Sequence, residues 1–374
     1  MVSINKERLL EEFLELVQVD SETTQEEKIA VVLKEKFESL GLEVLEDKAK
    51  SITGHGANNL ICNLKGTKED ADTIYFTSHM DTVVPGNGVK PSVEDGFVVT
   101  DGTSILGADD KAGVAAILEA IRSLKENNVE HGDLQFIITV GEESGLVGAK
   151  ALDSSLLKAK FGYALDSDGQ VGNIIVAAPT QAKLNAVVKG KTAHAGVAPE
   201  KGISAITLAS KAIAKMPLGR IDDETTANIG RFEGGQKTNI VCDHVEILAE
   251  ARSLVPEKME EQVEKMKKAF LETAEDMGGE VELDVEVMYP GFKQKAGDEV
   301  VEVARSAAAK IGRESELLTS GGGSDANIIA GYGIPTVNLA VGYEEIHTTN
   351  ERMPIAELEK VAELVTAIIK EVAE

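Results

Sequence analysis

The feature that most limits what this chain can fold into is a change of texture that begins and ends inside it. Up to about residue 179, short continuous apolar runs alternate with helical segments; from 180 to 291 the strands alternate apolar and polar residues one by one; from the PGF at 290–292 the first texture resumes. Continuous apolar runs separated by helices belong to strands buried on both faces, which is the pattern of a mostly parallel sheet covered by helices. A run such as QAKLNAVVKG, with Ala182, Leu184, Ala186 and Val188 on one face, belongs to a strand that keeps its other face in water. The predicted fold is therefore α/β: a helix-covered, mostly parallel sheet domain over 1–179 and 292–374, with a smaller α+β domain inserted at 180–291. The length of 374 residues, more than a single core usually organises, fits two domains.

Within this frame, residues 4–40 read as two helices separated by DSETTQEE, where Ser21 or Thr23 is placed to cap the second. Apolar runs at 58–64 and 73–80 read as strands, DGTSILGADDKAG opens a helix over 110–126, and the strand LQFIITV at 134–140 ends in GEES. The insert reads strand, helix (GISAITLASKAIAKM), two strands (TANIGRFEGG and HVEILAEARS), a charged helix at 257–277 and the strand VELDVEVMY. That order is a split βαββαβ unit.

Charge excludes partners more readily than it names one. With 38 basic against 64 acidic residues the net charge is −26, which argues against nucleic acid and against anionic membrane surfaces. No window approaches the ~18 uncharged apolar residues of a membrane span. The first nineteen residues carry charge throughout, as an amphipathic helix does and a signal peptide does not. Cys62 and Cys242 stand alone in apolar contexts and read as buried, reduced thiols. The expectation is a cytoplasmic protein.

Polar residues gather where the apolar strands stop. FTSHMDTVVPG ends a strand with His79 and Asp81, which share a face because side chains alternate. Asp109 and Asp110 stand between a Gly-containing loop and a helix, and Glu142 and Glu143 follow FIITVG. Taken alone, each acidic pair has a plainer explanation as helix caps or solvated loop charges. Taken together they converge, because function in parallel sheets collects beyond the carboxyl ends of the strands. Asp166 after FGYAL and His347 after PTVNLAVGYEEI lie at two further ends. Imidazole and carboxylate without thiolate suit zinc, manganese or cobalt, and about five ligands would hold two ions.

SHMDTV, LGADDKAG, GEESGLVGA, YALDSDG, KTAHAG, GGQKTN, GGGSDAN and HTTNE, in this order, resemble the M20 family of metallopeptidases, especially its peptidase T-like branch. The resemblance implies two divalent metal ions, zinc by preference, on the larger domain: one held by His79, Asp109 and Asp166, the other by Asp109, Glu143 and His347, with Asp109 bridging. It implies that the Asp81 carboxylate accepts a hydrogen bond from the His79 imidazole, and that Glu142 is the general base. In the insert, His194 of KTAHAG would stabilise the developing oxyanion, often in the partner subunit's site. Asn239 and Arg252 match substrate-binding positions, and Gly322, Gly323 and Ser324 match the segment that lines the substrate pocket. An exposed loop histidine, a turn asparagine, a strand arginine and a Gly-rich helix start are the plainer explanations. His55, His131 and His244 read as loop or turn histidines.

The activity so implied is hydrolysis of amide bonds in small peptides, as a peptidase T-like aminopeptidase, with a homodimer formed through the insert. A carboxypeptidase or an N-acyl amino acid deacylase would use the same carbonyl chemistry, and a non-catalytic binding protein of the same fold would be free to lose Glu142. Peptidase T proper carries an arginine just before its Gly-Gly motif, where ELLTSGGGSDAN has none, so strict tripeptide preference is not implied.

Overall fold

The computed structural model describes residues 2–374. These divide into two compact units, one of residues up to Ala177 with Lys293–Ser320 and Ser324–Glu374, the other of Ala178–Phe292 with Gly321–Gly323.

The first unit is the α/β fold that the run pattern predicts. Four parallel strands lie at the centre of its sheet, in the spatial order Leu134–Thr139, Ile74–His79, Phe161–Ser167 and Thr336–Ala340. Every residue of Ile74–His79 and Leu134–Thr139 is buried, which is why these segments are continuously apolar and not alternating. Antiparallel strands Leu60–Leu64 and Glu43–Glu46 extend one side, and Ile174–Ala178 the other. A ladder of rings, Phe37, Phe136, Phe76 and Tyr163, crosses the sheet with centroids 6.4, 6.1 and 5.5 Å apart. Each such pair adds about 0.5–1.5 kcal/mol to the burial of its area.

Helix Ala108–Glu126 is buried on nearly all sides, under the N-terminal helix Lys6–Val17 and the C-terminal helix Ile355–Ala373. Its Ala-rich sequence lets those helices approach. Its one deeply buried acid at mid-length, Glu119, is satisfied by the Arg8 guanidinium at 2.7 and 2.9 Å and by the main-chain N–H of Asn5 at 2.7 Å. Arg8→Ala would remove the cation from that carboxylate and leave it the Asn5 N–H and the Ser123 hydroxyl alone, a destabilising change.

The second unit is an antiparallel five-stranded sheet in the order Gly219–Arg220, Thr225–Gly234, His244–Ser253, Thr180–Lys189, Glu280–Tyr289. Helices Ala205–Ala214 and Pro256–Met277 cover the face carrying Ala182, Leu184, Ala186 and Val188. The predicted βαββαβ order is present, with the two-residue strand Gly219–Arg220 added at an edge.

Several local expectations are corrected. Neither Ser21 nor Thr23 caps the helix Glu27–Ser39, whose N-cap position is Glu26 without a side-chain cap. Residues 20–23 instead lie along 82–88: Thr23 N–H donates to the Thr82 carbonyl at 2.9 Å, Gly86 N–H to Glu22 Oε1 at 2.7 Å and Gly88 N–H to Asp20 Oδ1 at 2.8 Å. These tertiary bonds hold the segment away from the helix start, so neither hydroxyl reaches its N–H groups. Strands Ser92–Glu94, Phe97–Val99 and Met353–Pro354 form a small sheet that no periodicity in the sequence announces. Cys62 is buried but Cys242 is only partly so. His55 and His131 are buried loop histidines, and His244 opens a strand.

Candidate metal centre and active site

The parallel strands deliver their ends to one place. His79 and Thr139 are the last residues of neighbouring strands and pair in register, so Glu142 and Glu143 follow beside His79. Asp166 lies near the end of the next strand, and His347 is in the loop that follows Thr336–Ala340. Asp109 and Asp110 are joined by a cis peptide bond and have non-helical backbone angles within the first turn of Ala108–Glu126. They are not helix caps; the N-cap position is Gly107, in the left-handed region.

Asp109 faces two histidines with its two oxygens. Oδ1 is 3.1 Å from His79 Nε2, and Oδ2 is 3.3 Å from His347 Nε2. Asp166 Oδ1 lies 3.7 Å from His79 Nε2, and Glu143 Oε1 lies 3.1 Å from His347 Nε2. Two overlapping groups of donor atoms result. His79, Asp109 and Glu143 offer ligand atoms within 4.8 Å of one another, and so do His79, Asp110 and Asp166. Asp110 is the member that sequence reasoning left out as a donor; it also accepts the Ser78 hydroxyl, and its Oδ1 is buried without a hydrogen-bond partner.

The electrostatics describe a cluster that lacks positive charge. Burial alone would lower the His79 pKa, but Asp109, Asp166 and Asp81 outweigh it and hold the imidazolium well above its ordinary range. Hydrogen bonds to Asp109 and Glu143 push His347 up to about 10. Burial would raise Asp109, and the two histidines reverse this and hold it well below the usual carboxylate range. The other carboxyls move the other way: burial, reinforced by neighbouring carboxylates, outweighs His79 and pushes Asp166 up to about 6 and Asp325 to about 7, and raises Glu142 well above its ordinary value. Hard oxygen donors, two imidazoles and orphaned oxygens on Asp110 and Asp325 fit divalent cations.

Asp81 differs from its expected contact. The His79 Nδ1 partner is the Asp81 main-chain carbonyl at 2.9 Å, with the carboxylate farther off at 3.5 Å. The carboxylate accepts the main-chain N–H groups of Glu142 at 3.0 Å and Glu143 at 3.2 Å. That turn also rests on His55, which the sequence presents as a plain loop histidine, and on Asn59. Asn59 Oδ1 accepts Val140 N–H at 3.0 Å, Asn59 Nδ2 donates to the Gly148 carbonyl at 2.8 Å, and His55 Nε2 meets Ser144 Oγ at 2.8 Å. A Cβ at Gly141, whose φ is +58°, would come within 2.6 Å of the His55 ring, so only glycine fits there. The Glu143 side chain is engaged with His347, whereas the Glu142 carboxylate makes no hydrogen bond or ion pair among the described residues.

The remaining candidates are distributed between the units. Ser324, in the first, caps the helix Asp325–Gly331 in a capping box with Asn327, and its Oγ accepts from Asn338 Nδ2 at 3.3 Å. His194, Asn239, Arg252, Gly322 and Gly323 belong to the second unit. His194 and Asn239 are exposed; Arg252 forks onto Glu250 at 2.9 and 3.1 Å and donates to the Gly321 carbonyl at 3.0 Å. The Tyr289 ring occupies the space where a Cβ at Gly323 would sit.

A parallel sheet ending in two imidazoles and a converging set of carboxylates is the layout of a metallopeptidase, and the comparisons agree. Residues 75–371 match the model of peptidase family M20/M25/M40, and the chain belongs to that family. It is 75% identical to the uncharacterized protein YqjE of Bacillus subtilis (strain 168), over 99% of this chain and 100% of that one. Among solved structures, aminopeptidase PepT from Bacillus cereus is 72% identical with a TM-score of 0.97, covering 99% of this chain and 100% of its own. A tripeptidase from Staphylococcus aureus is 54% identical with a TM-score of 0.96, covering 99% of both.

Proposed function

We propose that this metallopeptidase is a two-metal aminopeptidase that removes residues from small peptides. The observation that carries the reading is the division of Asp109 between His79 and His347, with Asp166 beside the first and Glu143 beside the second. One ion would be held by His79, Asp109 and Asp166, the other by Asp109, Glu143 and His347. Asp109 is preferred to Asp110 as the bridge because only its two oxygens reach both histidines. Zinc is the preferred metal, with manganese and cobalt compatible with the same donors.

When bound, two such ions would make a water more acidic and polarise the scissile carbonyl. Glu142, free beside the engaged Glu143, takes the proton of the attacking water and passes it to the leaving amine. Its carboxylate makes no hydrogen bond or ion pair among the described residues, which leaves it available for that proton. Asp81, through the two N–H groups it accepts, holds the Glu142–Glu143 turn in place. His194 stabilises the oxyanion from a partner copy's insert, and Asn239, Arg252 and the Gly322–Gly323 loop with Ser324 contact substrate.

The similarity to an aminopeptidase and to a tripeptidase supports a small-peptide substrate with a free amino end. Against a strict tripeptidase stands the missing arginine before the Gly-Gly motif. The net charge of −26 supports the absence of a nucleic-acid partner, and no helix among the described residues is long and apolar enough to cross a membrane; we place the protein in the cytoplasm. Metal-loaded protein incubated with dipeptides, tripeptides and N-acyl amino acids, with products identified by mass spectrometry, tests the reading. Free amino-terminal residues released from peptides are expected. Release only of carboxy-terminal residues, or cleavage of acyl amino acids alone, would replace it with a carboxypeptidase or a deacylase.

A further inference from the structure

We infer that Glu351 is a positioning residue that sets the distance between Asp109 and His347 and thereby controls the ion held on the His347 side. Glu351 is 2% exposed, and its carboxylate spans three main-chain N–H groups of one loop. Oε2 accepts from Leu106 and Gly107, both at 2.8 Å, and Oε1 accepts from Asp109 itself at 3.0 Å. These groups precede or occupy the irregular first turn of Ala108–Glu126, where the helix supplies no carbonyl partners of its own. The loop conformation therefore depends on an acceptor brought from 242 residues away.

The same residue is tied to the second histidine. Glu351 N–H donates to the Thr348 carbonyl at 3.1 Å, and Glu344 pairs with Arg352 across the base of the loop that has His347 near its tip. His347 itself has φ +62°, a conformation that a non-glycine residue keeps only when its surroundings hold it. Glu351 thus fastens a loop carrying one ligand to a loop carrying another. His79 and Asp166 need no such fastening because they sit on adjacent, buried strands of one sheet. The ion on the His347 side draws Asp109 and His347 from the fastened loops, so it carries most of the consequence.

The inference rests on the two-metal reading, and the test separates the two. Zinc is titrated by calorimetry into the chelator-stripped full chain, wild type and Glu351→Gln, with folding followed by near-ultraviolet circular dichroism. Glutamine keeps one carbonyl oxygen and turns an N–H toward a main-chain N–H, so it keeps the shape and loses at least one acceptor. The expected result is two ions on wild type, and on Glu351→Gln a weakening of the second ion by roughly 10–100-fold with a smaller change in the first. Added to His347→Ala, which removes the second ion's ligand, Glu351→Gln should then cause little further loss. Fewer than two ions on wild type would refute the two-metal reading itself. Two ions on wild type with both affinities unchanged, equally weakened, or lost additively with His347→Ala would overturn the role of Glu351. Should Glu351→Gln fail to fold, Glu351→Asp, which keeps the charge but is one methylene short, is judged by the same criterion.

Discussion

His79 is oriented by the main-chain carbonyl of Asp81, 2.9 Å from Nδ1, while the Asp81 side chain serves the Glu142–Glu143 turn. One residue thus fixes two neighbours through two different groups, and a substitution can separate them. Asp81→Asn leaves the carbonyl and replaces one acceptor oxygen with an NH₂ that faces a main-chain N–H. We expect turnover to fall by roughly 10–100-fold while metal affinity stays near wild type. Steady-state kinetics beside metal titration decides the matter, and loss of metal in step with activity would return the orienting role to the carboxylate.

Glu142→Gln should abolish the proton relay and keep the ligands. The expected loss in kcat is about 10²–10⁴-fold with two ions retained by elemental analysis. Asp109→Ala, by contrast, should lose both ions, since in the proposed ligation its two oxygens serve both histidine sides. A Glu142→Gln enzyme with near wild-type turnover would exclude this residue as the base.

Metal removal should make stability fall with rising pH. In the metal-free chain, burial holds Asp166 up at about 6 and Asp325 at about 7. Between about pH 4, where such carboxyls titrate in an unfolded chain, and those values, the folded state binds protons that the unfolded state has released. Stability is then fully present below that range and lost as pH climbs through it. Calorimetric melts in chelator should give a higher midpoint near pH 5 than near pH 7.5, and added zinc should raise the midpoint most at the higher pH. Equal midpoints at both pH values without metal would count against the cluster as described.

If His194 acts from a partner copy, its loss should reduce kcat by about 10²–10³-fold with metal binding intact. Mixing inactive His194→Ala with inactive Glu142→Gln subunits should recover part of the activity, because a mixed dimer assembles one complete site. A mixture that stays dead despite demonstrated subunit exchange, or a fully active monomer in sedimentation, would rule the partner role out.

The sequence by itself determined the fold class and the order of the insert, because continuous and alternating apolar runs record whether a strand is buried on one face or two. It also pointed to His79, the Asp109–Asp110 and Glu142–Glu143 pairs, Asp166 and His347 as a converging group, since strand ends are legible where apolar runs stop; the choice of Asp109 and Glu143 as ligands came from the resemblance to the M20 family. The division of labour within that set was decided only by tertiary structure. Which of Asp109 and Asp110 reaches both histidines depends on an irregular helix start held by Glu351, and nothing local in the sequence reports a contact across 242 residues. Lys111, a residue type that rarely goes inside, is buried with Nζ donating to the Val19 carbonyl at 2.9 Å. His55 reads as a loop histidine and Asn59 as part of the 58–64 strand run, and neither shows in the sequence that the fold lays it against the Glu142–Glu143 turn. Periodicity records burial, which is a property of an element; hydrogen-bond partners are a property of pairs, and only the assembled chain brings those pairs together.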